Sequence, residues 1–186
     1  MQRINPKKIT TMSFGEAIKS VFSKYATFSG RARRSEFWYF FLFNFLVSFA
    51  LGLIPFLSVV SGLWALAVLI PSLAVAVRRF HDIGKSGWTY LYLLIPSLLY
   101  VGYLFYFVFK YAFSYIQAGY DLDADFISDL FTTHGSSLVI IGILMLVSLI
   151  ASIIFIVWMA RDSQPGENKW GPNPKEMPGN EPQNLD

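Results

Sequence analysis

From Phe37 to Val77 the chain runs 41 residues without a charged side chain. At about 1.5 Å per residue, a single helix of that length would be about twice the ~30 Å hydrocarbon thickness of a bilayer. The run therefore predicts two membrane spans with a tight reversal, marked by Pro55, Ser58, Ser61 and Gly62. Two more uncharged runs follow, Trp88–Phe109 and Ser137–Ala160, the first containing Pro96, which is expected to kink it. Composition agrees: 54% hydrophobic and 15% charged residues leave too little polar surface to coat a water-soluble globule. The expected fold class is an all-α integral membrane protein with four transmembrane helices, at about 37–55, 60–77, 88–109 and 137–160, within a domain over 37–160.

The segments outside the spans set the expected orientation. Residues 1–36 carry eight basic side chains (Arg3, Lys7, Lys8, Lys19, Lys24, Arg31, Arg33 and Arg34) against Glu16 and Glu36. Phe14, Ala17, Ile18, Val21, Phe22 and Tyr25 recur at helical spacing, and Ser13 with Glu16 reads as a capping box. This predicts an amphipathic interfacial helix in the N-terminal segment, lying in the membrane surface. The 78–87 stretch, RRFHDIGKSG, reads as a short charged loop, and 110–136 as a longer acidic one with Asp121, Asp123, Asp125 and Asp129. Basic residues crowd alternate connections, so the positive-inside rule puts the N-terminus, the 78–87 loop and the C-terminus in the cytoplasm and the acidic loop outside. The 161–186 tail, rich in Gly and Pro, reads as extended and without a core.

The sequence offers little for chemistry. It has no cysteine and only two histidines, His81 and His134, which the topology separates, so no metal site and no cofactor is expected. Asp121, Asp123 and Asp125 imitate the start of a calcium loop, but Phe126 and Thr132 stand where that loop needs glycine and glutamate. Leu122, Phe126, Ile127, Leu130 and Phe131 instead outline a short outer helix. The expected spans contain no ionisable residue; Asn44 and Ser48, Ser72, Ser97, Ser148 and Ser152 are their notable polar groups, read as helix–helix hydrogen bonding. No catalytic set is visible, and the chain is expected not to be an enzyme.

The concentrated polar feature is a rim at one membrane face: Arg31, Arg34 and Glu36, then Arg78, Arg79, His81, Asp82, Lys85, Ser86 and Trp88, then Arg161. Such a rim suits anionic phospholipid headgroups of the bilayer or a membrane or cytoplasmic protein partner; nucleic acid is not expected. Glu36 and Asp82 are expected to pair, half-exposed, with Arg31, Arg34, Arg78 or Arg79, so that alanine at either would spare insertion. The other functional readings are an oligomeric small-solute carrier or channel lined by Asn44 and the serines, and a lipid-headgroup enzyme using His81 and Asp82.

Three motifs carry a family resemblance. Phe28-Ser29-Gly30-Arg31-Ala32-Arg33-Arg34-Ser35-Glu36-Phe37-Trp38 resembles the opening motif of a bacterial inner-membrane family, domain of unknown function 805, the YhaH-like proteins. Arg78-Arg79-Phe80-His81-Asp82-Ile83-Gly84-Lys85-Ser86-Gly87-Trp88 resembles its central motif, with Phe80 where leucine is common. Gly166-Glu167-Asn168-Lys169-Trp170-Gly171-Pro172-Asn173-Pro174 resembles its C-terminal signature, with Trp170 where tyrosine is common. In that tail motif Gly166, Asn168, Trp170, Gly171, Pro172 and Pro174 are the candidate site positions. The resemblance spans about 13–175 and implies a bacterial inner (plasma) membrane protein; it implies no activity.

Overall fold

The computed structural model describes residues 11–117, 119 and 124–176. Arg3, Lys7, Lys8, Asp121, Leu122, Asp123 and the tail beyond Glu176 lie outside the described residues. The elements are helical: α1 Phe14–Ser23, α2 Arg34–Gly52, α3 Ser58–Asp82, α4 Trp88–Gln117 and α5 Ala124–Ala160, with one 3₁₀ turn at Pro55–Leu57. Four of the five, α2 to α5, are long and apolar enough to cross a membrane. The large apolar side chains along them, such as Phe45, Leu66, Phe105 and Ile153, are exposed on the single chain, as lipid-facing groups are.

The chain divides into two compact units, one holding the residues up to Tyr90 and again from Trp158, the other Leu91–Val157. In the first, the capping box forms at α1: Ser13 N donates to Glu16 Oε2 (2.7 Å) and Glu16 N to Ser13 Oγ (3.3 Å). The Ser13 amide holds the Glu16 carboxyl below the usual carboxylate range. Helix α1 buries Ala17 and Val21, and its Phe14 and Phe22 rings meet Tyr39, Phe40 and Phe43 of α2 edge-on. Phe14, Phe22 and Tyr25 remain partly exposed, so the helix both packs on protein and keeps an apolar margin. Tyr25 donates from the following loop to the Ala67 carbonyl of α3, and Asn44 of α2 donates to Ser72 of α3 (3.4 Å). In the second unit Ser97 of α4 bonds Ser148 of α5 (2.9 Å), and His134 sits edge-on to Tyr111 at 4.6 Å.

Two connections differ from the sequence expectation. The 78–87 stretch is not a loop: α3 continues through Arg78, Arg79, His81 and Asp82 and stops only at Ile83. Charge argues for a loop only where it needs water, and these side chains find their partners inside the protein. The helix ends in a Schellman turn, with Gly84 N donating to His81 O (3.1 Å) and Lys85 N to Phe80 O (2.9 Å). Gly84 takes φ +78°, and a Cβ there would stand 2.7 Å from Gln164 Oε1. Gly84→Ala should therefore cost about 1 kcal/mol or more of stability, seen as a lower melting temperature in detergent. The 110–136 stretch is also mostly helical. Helix α4 runs on to Gln117 and α5 starts at Ala124, so the expected outer helix is the opening of α5. Both α3 and α4 continue as single helices through Pro71 and Pro96.

Candidate functional site

The site lies in the first unit, where the start of α2, the end of α3 and the tail meet. Arg31 precedes α2. Its Nε donates to Asp82 Oδ1 (3.0 Å), Nη1 to the carbonyls of Gly166 (2.7 Å) and Gly171 (3.3 Å), and Nη2 to the carbonyls of Asp82 (3.3 Å) and Gln164. Arg79, one turn before Asp82 on α3, gives Nη1 to Asp82 Oδ2, and Nε and Nη2 to the Met159 carbonyl at 3.2 and 3.1 Å. Its Nη2 also reaches the Arg161 carbonyl. One carboxylate thus lies between two guanidinium groups, all three side chains at most 1% exposed.

A second pair lies beside it. Arg78 Nη1 donates to Glu36 Oε1 at 3.0 Å, with side-chain exposures of 1% and 3%. Ser20 of α1 donates to the same oxygen (3.2 Å). The segment between the pairs is pinned by Ala32 N donating to Arg78 O (3.0 Å).

These pairs are buried, not half-exposed as expected from the sequence. The cover is α1 on one side and the tail on the other. The tail is accordingly not coreless over 161–176. Gln164 N donates to Asp82 O (2.9 Å), Asn168 Nδ2 to His81 O (2.9 Å), and Arg33 Nε to Pro174 O (2.8 Å). Asn168 and Gly171 bond each other's backbones, and Asn173 is buried. The Trp170 ring stacks on His81 with centroids 4.5 Å apart and planes 10° from parallel.

His81 Nδ1 lies 3.1 Å from the Gly30 carbonyl. A carbonyl only accepts, so that nitrogen carries the proton. His81 and Asp82 are therefore committed to different partners and do not form an acid–base dyad. Among the described residues no three His, Cys, Asp or Glu side chains gather as a metal would require.

The remaining rim residues face outward. Arg34 does not join the buried pairs as expected; it sits 3.7 Å from Asp162, with side-chain exposures of 46% and 65%. Arg161 and Ser86 are exposed, Trp88 is 69% exposed, and Lys85 places Nζ 4.1 Å from the Trp158 ring centroid. Pro172 is exposed between the buried tail contacts. Asp162 also receives Lys175, and that bond, with the Ser163 amide, lowers its pKa below the ordinary aspartate value. A carboxylate so depressed contributes its stabilisation above the ordinary value of about 3.9 and loses it as pH falls through its lower folded value. The 173–176 amides should therefore show lower protection, relative to the intrinsic exchange rate at each pH, below about pH 4 than at neutrality. The effect is small because the pair is exposed, and hydrogen exchange measured in micelles would read it.

The three motif segments are thus brought into one bonded cluster. A family model described as protein of unknown function (DUF805) matches residues 25–118, half of the chain. The chain belongs to the DUF805 family. The inner membrane protein YhaI of Escherichia coli (strain K12) is 40% identical over 95 residues, covering 48% of this DUF805 chain and 78% of that protein. The inner membrane protein YhaH of the same strain is 36% identical over 99 residues, covering 48% and 79%. No solved structure matches. The family match takes in the Arg31 and Arg78–Trp88 motifs but stops short of the tail motif that closes over them in this DUF805 chain.

Sequence reasoning missed Gln164 and Met159, and for Arg161 and Pro174, which it named, it missed the role: all four act through backbone carbonyls, which carry no residue signature. Ser20 was readable only as a polar position on α1, and Arg33 only as one of a basic run.

Proposed function

We propose that the protein is a non-enzymatic component of the bacterial inner membrane, with both termini cytoplasmic, whose cytoplasmic rim binds anionic phospholipid headgroups. The observation that supports this reading is the division of labour among the cations. Arg31, Arg78 and Arg79 are buried and build a rigid base. Arg34 and Arg161 are exposed outside that base, Lys85 is half-buried over the Trp158 ring, and the ring of Trp88 is exposed too. Such outward cations attract an anionic leaflet by about 1 kcal/mol each, and tryptophan favours the headgroup level. The common side of the termini is supported by bonds joining the N-terminal segment, the end of α3 and the tail. The basic residues there favour the cytoplasm.

A carrier reading loses support because Asn44, Ser72, Ser97 and Ser148 are used between helices. An enzyme reading loses support because His81 and Asp82 serve different partners.

The test is native mass spectrometry of the full chain from micelles with equal phosphatidylglycerol and phosphatidylcholine. Phosphatidylglycerol adducts should dominate, and Arg34→Gln/Lys85→Gln/Arg161→Gln should remove the preference. No preference in the unaltered chain would overturn the lipid reading, and a stoichiometric co-purifying protein in that case would favour a protein partner. For orientation, reporter fusions at the C-terminus and near Ala124 should report opposite sides.

A further inference from the structure

Arg78 differs from the two arginines beside it. Arg31 and Arg79 each engage Nε, Nη1 and Nη2. Arg78 spends Nη1 on Glu36, while its Nε and Nη2 are buried and meet no acceptor. Those two nitrogens make one edge of the guanidinium, the edge whose parallel N–H bonds match the two oxygens of a carboxylate or phosphate. Buried donors normally find partners, so an entire unmatched edge at 1% exposure calls for one.

The charge count points the same way. Three arginine side chains exposed by 1% or less, Arg31, Arg78 and Arg79, face two buried carboxylates, Glu36 and Asp82. Arg33 is buried as well, so at least one positive charge is left over, and buried charges are ordinarily compensated. Asp82 is shared by Arg31 and Arg79, and Glu36 holds only one nitrogen of Arg78. The surplus charge and the unmatched edge therefore both call for an oxyanion near Arg78.

We propose that the Nε–Nη2 edge of Arg78 is a binding site for one phosphate oxyanion at the junction of α1, α2 and α3. Glu36 is a positioning residue: it holds Arg78 by Nη1 and leaves the edge open, and Ser20 steadies Glu36 from α1. The site is closed in this conformation. Helix α1 has ten residues, too few to cross a membrane, so entry would require its displacement rather than that of the longer α2 or α3. Two sources share the required chemistry, the phosphodiester of a phospholipid and free phosphate. With a lipid source, the inference rests on the headgroup reading and deepens it, adding one tight phosphate site beneath the exposed rim.

The test uses the full chain in zwitterionic micelles with arginine labelled at ¹⁵Nε. Arg78→Lys identifies the Arg78 signal by its loss, with Arg31→Lys and Arg79→Lys spectra assigning the neighbouring signals as a check, and the titration itself is made on the unaltered chain. Dihexanoyl phosphatidylglycerol and inorganic phosphate are titrated separately. A saturable shift of the Arg78 Nε–H signal with the lipid alone assigns the site to a phospholipid; a shift with inorganic phosphate assigns it to free phosphate. Either supports the site. In both cases the Arg78→Lys chain, which keeps the charge but loses the fork, should bind that probe at least tenfold more weakly by native mass spectrometry. An Arg78 signal that neither probe moves overturns the inference. The rim reading fails separately, when the Arg34/Lys85/Arg161 substitutions leave lipid preference unchanged, and the Arg78 signal answers independently of that result.

Discussion

Asparagine in place of Asp82 should destabilise the first unit by about 3–5 kcal/mol, the range expected when one partner of a buried ion pair is removed. The reason is geometric as well as electrostatic. Asp82 Oδ1 accepts from Arg31 and Oδ2 from Arg79, in a place where none of the three side chains meets solvent. An asparagine amide can accept on one side only and would present N–H groups to a guanidinium on the other. Two buried cations would then lack a counter-charge. The half-exposed placement expected from sequence made the same position look tolerant, and burial reverses that expectation. The measurement is the melting temperature of the detergent-purified chain, with cleavage of the 161–176 tail as a second readout. Adding Arg31→Met to Asp82→Asn should recover part of the loss by removing one stranded charge. An unchanged melting temperature for Asp82→Asn alone would contradict the argument.

The spans were legible because their physics is one-dimensional: a run of apolar residues against a fixed thickness needs no knowledge of neighbours. Their ends were not. Arg78 to Asp82 looked like a loop because charge usually seeks water, yet helix α3 carries these residues into contact with Arg31, Glu36 and the tail. Whether a charged turn stays helical depends on partners some 50 residues away, such as Arg31 for Asp82. Glu36 and Asp82 could be named as carboxylates needing guanidinium partners. The choice among arginines could not be made: Arg34 was as eligible as Arg31, but the turn of α2 that carries it points it to Asp162. The tail was the least legible part. Its grip comes from the carbonyls of Gln164, Gly166, Gly171 and Pro174, and every residue has a carbonyl.

Lysine in place of Arg31 separates the latch from the charge. Arg31 joins all three motif segments by hydrogen bonds: it starts before α2, bonds Asp82 on α3, and holds the carbonyls of Gln164, Gly166 and Gly171. A lysine keeps the positive charge near Asp82, and Arg79 still holds the other carboxylate oxygen. What it lacks is the planar fork, because its three donors radiate from a single atom and cannot reach acceptors spread around a guanidinium. Hydrogen bonds to a charged group contribute about 1.5–3 kcal/mol each, and they are not additive. Loss of the carbonyl set should weaken tail docking by about 3 kcal/mol in all. When opening is fast relative to cutting, cleavage follows the open population, so trypsin should cut at Lys169 on the order of a hundredfold faster in Arg31→Lys. The transmembrane helices should meanwhile stay folded, since the Arg79–Asp82 and Arg78–Glu36 pairs are intact. Arg31→Lys would then differ from Asp82→Asn in kind: a tail released with the melting temperature mostly kept, against a unit weakened throughout. Equal trypsin cleavage of the unaltered and Arg31→Lys chains would show that the tail is held by Arg33, Asn168 and the His81–Trp170 stack without need of Arg31.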